Sequence, residues 1–474
     1  MIIPEFYGHV RRLINHPEAA WIVDDIYRQV ASPAQKALML REWYGAEFAV
    51  FGKTKGAAAT PGEDTTADLG KILEKSPEKR KPIMQYLQQL INQLVQKKMT
   101  GFTMLHDAML QYFLNTTPGS EEANEFLELL KSDLDEESGG DLLKNLAFTK
   151  NGSRVVCLAL AYGAAKDRKI ILRVYKDTIE LMALDVNAYM VLLAAMDVTD
   201  DTKMSGKAIF PELLGENIKD DGERAERLLG MLSHLTARLP ILYPLAGQAK
   251  WLLNNEQKSI LAEVHAIREK TSKKNADTRR LELVQQISPS LLSLVESSAQ
   301  DLASSSFGCQ FATETLLETV GDKSAACAAV ANLAEGDPTA EDHIAHNPGA
   351  GKLLRTLVQG GKFDPETKKV KPVSLDLGFA NVLFNVIESH LLAWATGSNS
   401  FVVVALAESE QLDEKKKKSL MSTLKKGKKD LEKANKAQPV KAKVENAEKE
   451  KGKKKAKEPV AKGNAGARIL LEML

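Results

Sequence analysis

The stretch HNPGAGKLLRTLVQ, residues 346–359, sets Gly349, Gly351 and Lys352 in the order in which a phosphate-binding loop carries them. Such a loop also needs a glycine five positions before the Gly-Lys pair and a hydroxyl directly after it, because backbone amides wrap the phosphates and the hydroxyl holds magnesium. His346 and Leu353 stand there instead, and nothing upstream reads as a buried strand. The nucleotide reading fails on both counts. His343 and His346 are three apart in EDHIAHN, yet no cysteine or third ligand has a readable spacing to them, so no metal is expected. The aspartates of DVTDDTK, 197–203, lack the glycine and closing glutamate of a calcium loop and read as a turn. With no nucleophile elbow, dinucleotide fingerprint or Cys-His pairing in view, the sequence predicts no catalytic residues, no cofactor and no enzyme.

The glycine-rich stretch finds its explanation in other parts of the chain. Aligned on a small residue, Gly308, Ala350, Asn399 and Gly152 each lead into an apolar stripe: Phe311, Ala312 and Leu316; Leu353, Leu354 and Val358; Val402, Val403 and Ala407; Val155, Val156 and Leu160. That spacing is helical. Weaker copies follow Ala19, Phe102 and Asn187; Gly152 and Asn187 lie 35 residues apart, Gly308 and Ala350 42, and Ala350 and Asn399 49, a range that indicates stacked helical units. Ser32-Pro33, Ser288-Pro289 and Asp337-Pro338 each offer a capping oxygen before a proline at a first helical position. The predicted fold is all-α, a solenoid whose repeats bury their stripes against neighbours.

Cys157, Cys309 and Cys327 are few and far apart, which points to a reducing compartment. The net charge of +1 hides an asymmetry: residues 413–463 hold nineteen lysines against eight carboxylates, a net +11, and the remainder is net −10. This segment, with Lys415, Lys416, Lys417, Lys418, Lys453, Lys454 and Lys455 in its densest clusters, reads as a largely disordered tail with helical character near Leu420–Leu431. Such clusters serve nuclear targeting or nucleic-acid attraction. The apolar ARILLEML that follows is expected to dock back on the body.

The segments PEFYGHVRRLINHPEAAWIVDDIYRQ, LREWYGAEFAVF, LAFTKNGSRVVCLALAYG, ISPSLLSLV and SSFGCQFATETLL resemble the Pumilio-like (PUF) proteins, and within them the nucleolar Puf-A group with its C-terminal CPL-type region. The resemblance covers roughly residues 3–412 and the terminal GARILLEML. It implies stacked three-helix repeats over residues 1–51 and 83–240, an insertion at 52–82, CPL-type helical repeats at 241–412, the lysine-rich tail at 413–463 and a short apolar segment at 464–474. Because members of this group carry further repeats before the segment with which this chain opens, the array is expected to begin partway. The resemblance also implies a nuclear, nucleolar protein that binds structured RNA such as pre-rRNA, with pre-60S ribosomal or assembly proteins as partners. A role in repressing particular mRNAs is described within the family as well.

In sequence-reading members one base meets one repeat, through two or three side chains of its inner helix. The resemblance implies that the first and fifth residues of a pentapeptide read the base edge while the second stacks. Here the pentapeptides are AWIVD (20–24), TMLHD (103–107), SRVVC (153–157), AYMVL (188–192), CQFAT (309–313), GKLLR (351–355) and SFVVV (400–404). None ends in Gln or Glu, and Leu192 and Val404 have no polar edge, so little base selectivity is expected. Ser153 with Arg154 is the most code-like pair, and Trp21, Tyr189 and Phe401 are the stacking candidates. Affinity is expected mainly from phosphate contacts by Lys166, Arg168, Lys169, Arg173, Lys273, Lys274, Arg279, Arg280, Lys352 and Arg355. The competing reading is a protein-binding scaffold for assembly factors that touches RNA only through its tail.

Overall fold

A computed structural model describes residues 2–55, 66–132, 134, 139–364, 367, 369–373, 377–436 and 463–474. The described chain is helical throughout except for an antiparallel pair of short strands, Gly361–Asp364 with Lys369–Pro372. No described helix is long and apolar enough to cross a membrane. Two compact units result, Met1–Asn217 with His234–Leu283, and Ile218–Ser233 with Val284–Leu474. This division does not follow the sequence boundary at residue 240.

In the first unit the stripes form inner helices that pack in series: α1 (Ala19–Asp25), α2 (Thr103–Leu114), α3 (Lys150–Tyr162), α4 (Tyr189–Val198) and α5 (Arg238–Ala246). Asp24 caps α2, accepting from the amides of Thr103 and Met104 at 3.1 and 3.0 Å. Asp107 accepts from Tyr27 Oη at 2.5 Å and Asn151 Nδ2 at 2.8 Å. Both carboxylates hold neighbouring repeats together, and burial pushes both upward from the ordinary aspartate range. A longer helix, α6 (Asn255–Thr271), follows, and α7 (Ala276–Ser297) contributes its first turns to this unit.

At two of the stripes the glycine that leads has a steric cause. A Cβ on Gly152 would collide with the carbonyl oxygen of Leu146, and one on Gly308 with that of Leu302. The helices that begin at Lys150 and Ser306 therefore start against the end of the helix before them.

The second unit repeats the scheme with α8 (Ser306–Glu318), α9 (Pro348–Val358) and α10 (Phe401–Glu408). It then adds α11 (Glu414–Lys426), α12 (Lys428–Asn435) and α13 (Ala465–Glu472), which pack around the Leu391–Thr396 helix. The tail thus begins later than the sequence implies. Leu420, Leu424 and Leu431 are fully buried, and that apolar face makes residues 414–435 part of the fold; residues 437–462 lie outside the described residues.

Three further expectations change. Of the supposed insertion at 52–82, residues 66–82 are structured, with Asp68 capping the Leu69–Lys75 helix and Leu69 fully buried. Ser32 does cap its helix, in a reciprocal box with Gln35. Pro289 instead lies inside α7, where Ser288 Oγ donates to Val284 O at 2.6 Å and accepts from the Val320 amide at 3.0 Å. Asp337 closes a turn on Thr339 rather than starting a helix.

Candidate nucleic-acid interface

The glycines and lysine of HNPGAGKLLRTLVQ form the first turns of α9, where Asn347 Oδ1 takes the amides of Gly349 (2.9 Å) and Ala350 (3.3 Å). Those amides already have their acceptor. His343 likewise closes a turn, its Nδ1 accepting from the Ala345 amide at 3.0 Å.

On α3 and α4 the face that the pentapeptide register assigns to bases is covered by α6. Arg154 Nε and Nη2 donate to Glu263 Oε2 and Oε1 at 2.9 and 3.0 Å, a two-pronged ion pair. Lys150 pairs with Glu256 at 2.7 Å, Tyr189 Oη accepts from Gln257 Nε2, and Thr271 Oγ1 donates to Ala161 O at 2.8 Å. Leu261, Val264 and Ile267 bury the apolar side of α6 beneath these contacts. Cys157, the fifth residue of its pentapeptide, is buried, and that burial, with the charge of Glu263 adding, pushes its thiol up to about 12. Ser153 is 5% exposed and its hydroxyl donates to Lys150 O at 3.0 Å; Tyr189 is 4% exposed. Ser153, Arg154 and Tyr189 are therefore not presented to a ligand, because a helix from outside the repeat register occupies their face.

The basic segments divide in the same way. Arg168 is buried and donates to the carbonyls of Leu160 (2.9 Å) and Ala161 (3.1 Å), so it ties the α3 end to its neighbour. Arg279, also buried, reaches Thr199 O, Asp200 and Lys274 O. Although burial opposes ionisation, Ser272, the Lys273 amide and Arg279 hold the Asp200 carboxyl down to about 2. Arg280 donates to Pro244 O at 2.7 Å and to Leu245 O, closing the end of α5. Lys274 pairs with Glu282 at 2.6 Å. Lys166, Lys169 and Arg173 are exposed on the Ala165–Val174 helix, and Lys273 is exposed in the turn before α7.

Four inner-face residues remain presented. In the first unit Trp21 is 60% exposed, with its indole edge on Phe102. In the second, Lys352 is exposed, and the Arg355 guanidinium sits 5.9 Å from the centroid of a partly exposed Phe401 ring. Beyond them, α11 and α12 turn Lys415, Lys418, Lys425, Lys426, Lys428, Lys429 and Lys433 outward from their leucine seam. Lys416 and Lys417 are half-buried and donate to Asn381 O (3.2 Å) and Ser409 O (3.1 Å). Lys453, Lys454 and Lys455 lie outside the described residues. The lysines of 425–433 belong to the segment that the sequence reads as a largely disordered basic tail; the spacing of Leu420, Leu424 and Leu431 is the signal that they stand on folded helices.

Inner helices packed in series define a helical-repeat protein of the Pumilio type. The chain belongs to the Pumilio family, on the Puf-A branch that carries a CPL region. The CPL (NUC119) domain model matches residues 234–370. Pumilio homology domain family member 6 of Schizosaccharomyces pombe is 34% identical over 427 residues, which cover 89% of this chain and 61% of that protein. Human Pumilio homolog 3 is 30% identical, over 90% of this chain and 62% of its own length. The chain thus spans about three fifths of these curated relatives. Among solved structures, human Puf-A in complex with DNA matches with a TM-score of 0.75 at 26% identity, over 99% of this chain and 79% of that one.

Proposed function

We propose that the chain is a non-catalytic RNA-binding repeat protein that grips phosphates with little regard for sequence. It would act in the nucleolus during assembly of the large ribosomal subunit. The observation that carries the binding mode is α6: it occupies the base-reading face of α3 and α4 and leaves charge, not base edges, as the available contact. Support for a nucleic-acid ligand comes from the human Puf-A structure solved with DNA. A fluorescent fusion imaged beside a nucleolar marker tests the setting directly.

Affinities for unrelated structured RNAs of equal length are expected to agree within about tenfold, roughly 1.4 kcal/mol. Competition titrations check this, and a single-stranded motif preferred a thousandfold would overturn the binding mode. The ordered lysines make a second expectation. Each phosphate neutralised on single-stranded RNA adds about 0.7 to the magnitude of the log–log salt slope. Changing Lys425, Lys426, Lys429 and Lys433 to Glu is expected to shrink that slope by one unit or more, by the same rule. If the chain binds no RNA even at low salt yet still captures assembly proteins, the scaffold reading replaces this one.

A further inference from the structure

In the first unit, the Arg80–Gln96 and Glu121–Leu129 helices flank a cleft of about 810 Å³. Gln88, Asn92 and Gln96 stand on one wall, and Glu121, Glu125 and Glu128 on the other. Neither lysine nor arginine lines it. The rings of Tyr112 and Phe126, with centroids 5.5 Å apart, close its floor, and the half-buried Leu129 adds an apolar step.

The three glutamates are exposed, and most of their charge goes unanswered. Glu125 accepts from a neutral amide, Gln88 Nε2 at 2.8 Å, and Glu121 has no ion-pair partner among the described residues. Glu128 meets Lys131 at 2.8 Å, but Asp167 shares that lysine at 2.6 Å. Arg80, at the start of its helix, is taken by Glu122 at 2.7 Å and Asn115 O at 2.8 Å. From below there is no compensation either: Tyr112 is 1% exposed, and its hydroxyl has no hydrogen-bond partner among the described residues. Burial, with the charges of Glu122 and Glu125 adding, pushes that hydroxyl up to about 12. The field of the carboxylates thus reaches the floor, and clefts lined by one sign of charge concentrate such fields.

Glutamates along a lone helix need no ligand, since water serves them. Here the facing wall presents side-chain amides, whose carbonyls are further acceptors. We propose that this cleft docks an arginine-rich segment of a partner protein. A guanidinium carries five donors in a fixed fork that fits carboxylates two bonds at a time, and it sheds water more readily than an ammonium. Its aliphatic stem can lie along Leu129 while the charged end meets the glutamates. Phosphates would be repelled by the same lining, so the occupant is a peptide and not RNA. The inference stands whether or not the chain binds RNA elsewhere.

The test titrates the full chain into a fluorescently labelled peptide of about eight residues, alternating arginine and glycine, which when extended matches the length of the 17-residue Arg80–Gln96 helix. Wild type is expected to bind it, and Glu121→Gln combined with Glu125→Gln to weaken binding about tenfold, about 1.4 kcal/mol. The pair Glu223→Gln and Glu226→Gln removes the same charge from exposed positions of the second unit and is expected to change nothing. The arginine peptide is expected to bind more tightly than its lysine counterpart. Unaltered binding by the Glu121/Glu125 variant overturns the proposal, and so does an equal loss in the Glu223/Glu226 variant, which would reduce the attraction to net charge. Equal affinities for the two peptides overturn the choice of arginine. If a labelled RNA binds the wild type and is lost in the Glu121/Glu125 variant, the cleft holds nucleic acid and the proposal falls.

Discussion

Leu470→Ala is expected to destabilise the second unit by about 2–5 kcal/mol, the cost of emptying a fully buried leucine site. Leu470 and Ala467 on α13 have no solvent exposure, and the helix rests on α10, α12 and the Leu391–Thr396 helix. Asn464 seats it. Its Oδ1 accepts from the Ala467 amide at 3.1 Å and from Ser400 Oγ at 2.7 Å, and its Nδ2 donates to Thr396 O (3.0 Å) and Gly397 O (2.7 Å). Losing this cap and leaving two carbonyls without a donor gives Asn464→Ala a further cost of about 1–3 kcal/mol. Truncation after Gly463 is expected to lower the melting temperature and speed amide exchange in α10 and α12. Unchanged melting and exchange would make the last residues a free end.

Acid is expected to weaken the first unit through His106. The ring is fully buried between Thr149 Oγ1 at Nδ1 (2.8 Å) and Thr100 O at Nε2 (2.8 Å). One neutral tautomer satisfies both contacts, with Nε2–H donating to the carbonyl and Nδ1 accepting from the hydroxyl. Burial, partly offset by the Thr100 carbonyl, lowers the pKa from 6.5 to about 4. Because the unfolded chain takes up this proton first, the contribution is whole above pH 6.5 and is lost as pH falls toward 4. At about 1.36 kcal/mol per unit the loss amounts to roughly 3 kcal/mol. Glu42 opposes it. Burial raises its carboxyl to about 7 against the amides of Gly8 and Val10, so its penalty grows as pH rises from 4.5 toward 7. The difference between wild type and His106→Gln isolates the histidine: the wild type should lose stability relative to the variant across that window. Parallel pH profiles would refute the assignment.

The stripes after Gly152, Asn187, Gly308, Ala350 and Asn399 were legible because a helix buried on one face must repeat its apolar positions. Helix α5 was missed because Pro240 and Pro244 interrupt the pattern that its buried Leu239, Ile241, Leu242 and Leu245 would otherwise spell. The lysine-rich segment read mainly as disordered because its few leucines were weighed against the whole run of charge; three leucines on one face sufficed once the Leu391–Thr396 helix lay beneath them. The fate of Arg154, Arg168 and Arg279 was not legible at all. A basic residue looks alike in sequence whether it faces solvent or a glutamate about a hundred residues away, as Arg154 faces Glu263.

An array of repeats ordinarily melts like a zipper, each unit held only by its neighbours, so ends fray while the middle persists. Helix α6 breaks that independence in the first unit. By clasping α3 and α4 at once, it closes long loops of chain between residues near 150–200 and those at 256–271. Those closures must form before their contacts reward them, which slows folding relative to a simple array. They also mean that α3, α4 and α6 should exchange their amides as a single cooperative block.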